Sequence, residues 1–170
     1  KKEPMDHQLK AIIEAKKHYS KNSRGKMIMA CGTGKTFTSL KIAEEIAKRK
    51  FILYMVPSLA LMSQSIREWK NDCKEDFIAF SACSDKRVGR INSESDFVQV
   101  KLNELALPAT TNSKTLAEET LKTEKNKMTV VFSTYQSIDV ISDAQKKFNM
   151  KSFDLIICDE AHRTTGATFE

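Results

Sequence analysis

Residues Lys26-Met27-Ile28-Met29-Ala30-Cys31-Gly32-Thr33-Gly34-Lys35-Thr36 change character twice in a short space. A brief apolar run stops at two glycines, and Lys35 then opens a helical pattern through Leu40, Ala43 and Ile46. The order predicted is strand, glycine turn, helix. Downstream, Phe51 to Val56 is continuously apolar and closed by Pro57, as expected of a strand buried on both faces. Leu59, Met62, Ile66 and Trp69 mark the next helix. Phe77 to Ala82, Met128 to Ser133 and Phe153 to Cys158 read as further strands, with a helix between the last two turning Ile138, Ile141 and Phe148 inward. Upstream, Met5, Leu9, Ile12, Ile13 and Tyr19 have helical spacing after Pro4, the mark of an amphipathic helix. Five apolar strands separated by helices predict an α/β fold, a parallel sheet flanked by helices on both faces.

Composition agrees with one globular domain over residues 1–170. Of these residues 41% are hydrophobic and 29% charged, which excludes collagen-like and disordered classes. The net charge of +6 is uneven, because residues 1–50 hold 13 basic against 5 acidic side chains. A basic third of this kind steers polyanions, and it equally suits a solvated lysine-rich face. Cys31, Cys73, Cys83 and Cys158 form no Cys-x-x-Cys pair, so reduced and mostly buried thiols in a cytoplasmic setting are expected. No apolar run approaches the ~20 residues of a membrane span, and no membrane partner is expected. Residues 83–127 read as an irregular insertion, with one helix near Thr115 whose Thr115-Leu116-Ala117-Glu118 could form a capping box. The lack of an initiator Met and the abrupt end at Phe169-Glu170 are expected of a piece of a longer protein.

The chemistry concentrates at two places. Glycines in Gly32-Thr33-Gly34 let consecutive backbone N–H groups and a helix N-terminus face a phosphate. Lys35 would reach the β- and γ-phosphates, and the Thr36 hydroxyl would ligate Mg²⁺. The strict loop pattern asks for glycine where this chain has Met29. Second, Asp159-Glu160 follows the apolar run Leu155 to Cys158, so two carboxylates emerge at the carboxyl end of a strand, where open α/β sheets bind ligands. Asp159 is placed to hold Mg²⁺ and Glu160 to orient and deprotonate the attacking water. On the residues alone, a P-loop phosphotransferase or a nucleotide-independent DNA-binding or scaffold module stays open.

Together these segments resemble the superfamily 2 helicases and translocases, whose first motif is similar to Met29-Ala30-Cys31-Gly32-Thr33-Gly34-Lys35-Thr36 and tolerates non-glycine residues at its first position. Pro4-Met5-Asp6-His7-Gln8 resembles the upstream motif in which a glutamine reads adenine, a role that falls on Gln8. Val56-Pro57-Ser58-Leu59-Ala60-Leu61-Met62-Ser63-Gln64 looks like motif Ia, and Asp159-Glu160-Ala161-His162-Arg163 like a DEAH-type motif II, in which His162 links ATP to a neighbouring domain. Within the superfamily, "MACGTGKT", "FSTYQSI" and "CDEAHRTTG" are most similar to the motor domains of type I, type III and single-chain type ISP restriction enzymes. The resemblance implies a RecA-like P-loop NTPase, the first of two RecA-like halves of a DNA helicase or double-stranded DNA translocase using ATP and Mg²⁺. It implies that Cys31 and the neighbouring loop residues cradle the phosphates. It further implies a second RecA-like domain that supplies arginine fingers, and a strand carrying motif III between the strands of motifs I and II. Too few residues follow His162 to make that strand, so an incomplete first domain, weakly active by itself, is expected.

Polar residues just beyond strand ends, Ser58, Thr134, Tyr135 and Gln136, could hold DNA phosphates or simply cap the next helix. Thr110 and Thr111 before the Thr115 helix are candidates of the same type. Arg67, Lys70, Lys86, Arg87 and Arg90 suit DNA contact or a solvated face. Trp69 reads as packing, and His7 and His18 as surface residues.

Overall fold

The computed structural model describes residues 1–47, 50–83, 109–123 and 126–161. The elements follow in the order α1 (Asp6–Tyr19), α2 (Lys35–Ile46), β1 (Phe51–Val56), α3 (Leu59–Asp72), β2 (Ile78–Ala82), β3 (Ala109–Thr110), α4 (Ser113–Leu121), β4 (Thr129–Thr134), a 3-10 turn (Tyr135–Ser137), α5 (Ile138–Phe148) and β5 (Leu155–Cys158). The five strands form one sheet in the order β3-β2-β4-β1-β5, and every neighbouring pair is parallel. Parallel neighbours need crossovers, and the helices between strands supply them. All strand carboxyl ends therefore lie along one edge.

Alternation along the strands divides the core into two layers. Ile52, Tyr54 and Val56 of β1 join Val130 and Phe132 of β4 against Leu40, Ala43, Met62, Ile66 and Trp69 of α2 and α3. Leu53 and Met55 join Val131 against Leu116 and Ala117 of α4 and Val140, Ile141 and Ala144 of α5. The α/β expectation of a parallel sheet covered on both faces holds. Trp69 is fully buried, as its spacing predicted. Among the described residues no helix is long and apolar enough to cross a membrane.

Several expectations need correction. Met27 to Ala30 joins no sheet; Ile28 is 83% exposed. Apolar character alone does not make a strand, which needs a neighbour to take its N–H and C=O groups, and no described strand lies beside this segment. The outer edge of β5 is likewise unpaired among the described residues, and Ile156 is 55% exposed, so the motif II strand is only half buried. Ile138 and Phe148 are exposed because the side of α5 that meets the sheet is set by Val140, Ile141 and Ala144. On α1, Met5, Leu9 and Ile13 are exposed, and Gln8 and Ile12 are the buried positions. The cap of α4 is Asn112, whose side chain accepts from the N–H groups of Lys114 and Thr115; Thr115 lies inside the first turn. Two thiols, Cys73 and Cys83, are buried, while Cys31 and Cys158 are exposed, so "mostly buried" was too strong.

Candidate nucleotide site

The glycine turn and the motif II turn meet. Thr33 folds back on Ala30, its Oγ1 donating to the Ala30 carbonyl at 2.7 Å. Gly32 and Gly34 both have left-handed backbones, φ +76° and +80°, which side chains disfavour. Gly34 has a second requirement, since a Cβ there would lie 2.5 Å from Gln8 Nε2. Gly34 is the N-cap of α2, so the free N–H groups of that helix open toward the space above Lys35.

Gln8 locks this turn. Its Oε1 accepts from the Met5 N–H at 3.0 Å, closing the start of α1 from its third position, and its Nε2 donates to the Thr33 carbonyl at 2.9 Å. Exposed His7 reaches the same carbonyl at 3.2 Å. The first helix therefore carries the loop as well as flanking it.

Lys35 Nζ lies 2.5 Å from Glu160 Oε1, an ion pair joining residues 125 apart in sequence. Both side chains are largely sheltered, with 27% and 17% exposure. The hydrogen bond it donates to Glu160 holds the Lys35 ammonium above its ordinary pKa, with the negative charges of Glu160 and Asp159 adding to it, so Lys35 stays cationic. Glu160 has φ +53°, a sparsely populated conformation for a side-chain-bearing residue that costs on the order of 1 kcal/mol. The strained turn aims its carboxylate back across the loop.

Asp159 is held at every polar atom. Its N–H continues the β1 ladder to the Met55 carbonyl, its carbonyl accepts from Tyr135 Oη at 2.8 Å, Oδ1 accepts from the Glu160 N–H at 2.9 Å, and Oδ2 accepts from Tyr54 Oη at 2.9 Å. Burial, then the partial charges around Cys158, push the Tyr135 hydroxyl well above the ordinary phenol range, which keeps it a donor. Across the site, the Thr36 carbonyl accepts from Ser39 Oγ at 2.7 Å and from Trp69 Nε1 at 3.2 Å. Thr36 and Asp159 offer hard oxygen atoms, the donors suited to Mg²⁺, which binds through one or two protein oxygens together with substrate phosphates. Among the described residues no cluster of three or more His, Cys, Asp or Glu side chains could cage a metal alone. The donor set thus fits a metal that arrives with phosphates.

Cys31 is exposed at the start of the glycine turn. Ser58 caps α3, accepting from the Leu61 N–H at 3.3 Å. Thr134 is buried and shares a hydrogen bond with Ser137 at 2.7 Å. Thr110 Oγ1 accepts from the Asn112 N–H at 3.1 Å, bracing the cap of α4. Gln136 and Thr111 lie exposed beyond β4 and β3, and Arg67 and Lys70 are exposed on α3. His162, Lys86, Arg87 and Arg90 lie outside the described residues. Sequence reasoning missed the tie of Tyr54 to Asp159 and the anchoring of Thr36 by Trp69. One signal was available: a phenol inside the otherwise apolar Phe51–Val56 needs a partner for its hydroxyl when buried.

A parallel sheet with an Asp-Glu pair at the end of β5, against which the Lys35–Glu160 ion pair holds a glycine turn with Lys-Thr, defines a P-loop nucleotide-binding domain of the helicase motor type. The chain belongs to the family described as the type III restriction enzyme, res subunit, whose model matches residues 1–170. It is similar to two solved type ISP restriction-modification enzymes. One is a nuclease-deletion mutant of LlaGI in complex with a DNA substrate mimic, 40% identical with TM-score 0.76 over 95% of this chain and 15% of that one. The other is the ATP-dependent enzyme LlaBIII bound to DNA, 41% identical with TM-score 0.78 over 98% of this chain and 11% of that one. A probable helicase of African swine fever virus is 30% identical over 86% of this chain, which spans only 14% of that relative's length.

Proposed function

We propose that the chain is the ATP-binding first half of a DNA translocating motor in a restriction-modification enzyme, hydrolysing ATP with Mg²⁺ while a second RecA-like domain closes on the nucleotide. The observation carrying this reading is the Lys35–Glu160 ion pair, which brings the phosphate-loop lysine and the motif II glutamate to one point. In this reading the pair is the phosphate-free arrangement. An arriving γ-phosphate competes for Lys35 and releases Glu160 toward water. The residues Cys31 to Thr36 would surround the phosphates, Gln8 would meet the adenine edge, and Asp159 and Thr36 would hold Mg²⁺, which neutralises charge developing on the phosphates. His162 would pass the state of the nucleotide to the second domain. Duplex DNA would run past the strand ends, with Ser58, Thr110, Thr111 and Gln136 as the positions proposed nearest its phosphates, since Thr134 is buried against Ser137 and the Tyr135 hydroxyl is engaged by Asp159. This is the first RecA-like domain; β3 and α4, within the segment 83–127 read from sequence as an insertion, belong to its sheet and core. Without its partner domain it binds nucleotide weakly and turns over slowly. The intracellular setting of such enzymes makes the cytoplasm the proposed location.

The test separates binding from chemistry in the intact protein. Lys35→Ala should abolish ATP binding in titration calorimetry, whereas Glu160→Gln should bind ATP normally and lose hydrolysis by roughly 100-fold or more. Unchanged ATP binding in Lys35→Ala would remove the motor reading in favour of a nucleotide-independent DNA-binding module. Retained ATPase activity in Glu160→Gln would exclude Glu160 as the base and favour a phosphotransferase.

A further inference from the structure

We propose that Tyr54 is a positioning residue for the metal carboxylate, and that Trp69 ties it to the threonine across the site, so that one buried aromatic pair sets the placement of Asp159 relative to Thr36. The inference rests on the metal-site reading of Asp159 and Thr36 above.

Register explains how a core residue reaches the site. Tyr54 pairs with Ile157 in the β1–β5 ladder, and Asp159 lies two residues further on, hence on the same face of the sheet. The phenol runs along that face and ends on Asp159 Oδ2, while Oδ1 is held by the Glu160 N–H. With one donor on each oxygen, the carboxylate plane is fixed, and each oxygen keeps a further lone pair for a metal or its water. Tyr54 itself is closely packed. It is fully buried, and its ring meets Trp69 edge-on at 5.1 Å and Phe132 at 5.5 Å. Trp69 carries the second tie through Nε1 to the Thr36 carbonyl.

A buried tyrosine that merely satisfies its own hydroxyl would leave metal binding untouched when that hydroxyl is removed, and this separates the two roles. Tyr54→Phe keeps the ring and its packing. In the intact protein, Mn²⁺ binding to the complex with a non-hydrolysable ATP analogue, read by electron paramagnetic resonance, should weaken roughly tenfold, the scale of one hydrogen bond to a charged group. The Mg²⁺ concentration for half-maximal ATPase should rise in parallel, while affinity for the analogue without divalent metal stays within about twofold. Wild-type Mn²⁺ affinity in folded Tyr54→Phe would overturn the proposal. Should that variant fail to fold, Trp69→Phe, which removes the indole N–H tie to Thr36 together with one ring of buried packing, should show the same weakening, and unchanged affinity there would overturn it equally. Asp159→Asn serves as the separate control. Normal Mn²⁺ binding in that variant would overturn the metal-site reading itself, whatever Tyr54→Phe does.

Discussion

At the residue scale, Gly34 shows how tightly the phosphate turn is determined. Its left-handed φ and the 2.5 Å approach of Gln8 Nε2 to a virtual Cβ act together, so Gly34→Ala should destabilise the domain by about 1–3 kcal/mol and impair ATP binding even where the fold survives. Denaturant unfolding alongside calorimetry checks both, and a stability within about 0.5 kcal/mol of wild type would show the turn relaxing freely. Lys35, Thr36, Asp159 and Glu160 were legible because their chemistry is local: a glycine turn and a strand end announce themselves in a few consecutive residues. The meeting of Lys35 with Glu160, like the ties from Tyr54, Trp69 and Tyr135, depends on how segments far apart in sequence come together in the fold. Tyr135 read as a DNA contact candidate; its hydroxyl is engaged by the Asp159 carbonyl.

At the element scale, hydrophobic pattern found β1, β2, β4, β5 and the helices α1, α2, α3 and α5, since burial on one or both faces writes a period into the sequence. It failed where pairing decides. Met27 to Ala30 has strand-like residues without a described neighbour, and β3 is only two residues long, too short to carry a pattern. Helix α4 was placed correctly but given the wrong cap, because the Thr-x-x-Glu spacing competed with an Asn three residues earlier that reaches two backbone N–H groups. Asn112→Ala should therefore cost about 1 kcal/mol, and Thr115→Ala only a few tenths, in chemical denaturation. Equal losses would return the cap to Thr115.

At the scale of the whole molecule, ionisable groups set an alkaline limit. Burial, helped by Glu44, pushes the Cys73 thiol up to about 12, burial holds the phenols of Tyr54 and Tyr135 above their ordinary range, and Glu160 raises Lys35. Each group binds its proton more tightly folded than unfolded. Their contribution is complete at neutral pH and falls once the unfolded chain begins to lose protons, from the thiol range of about pH 8.5 upward. The melting temperature should hold level from pH ~7 to ~8 and drop toward pH ~10.5, by roughly 2–4 °C for each kcal/mol lost. A flat profile by calorimetry would show that these groups are not differentially protonated. The basic N-terminal third contributes little to the argument at this scale, because the family and the site carry the case for a DNA motor and Lys35 alone among those cations has an assigned task. Trp69 has one more consequence. It is the single tryptophan among the 170 residues, sealed from solvent, with its indole nitrogen on the carbonyl of the second residue of the phosphate helix. The domain thus carries a built-in optical reporter, whose ultraviolet emission registers any shift of that helix without an attached dye.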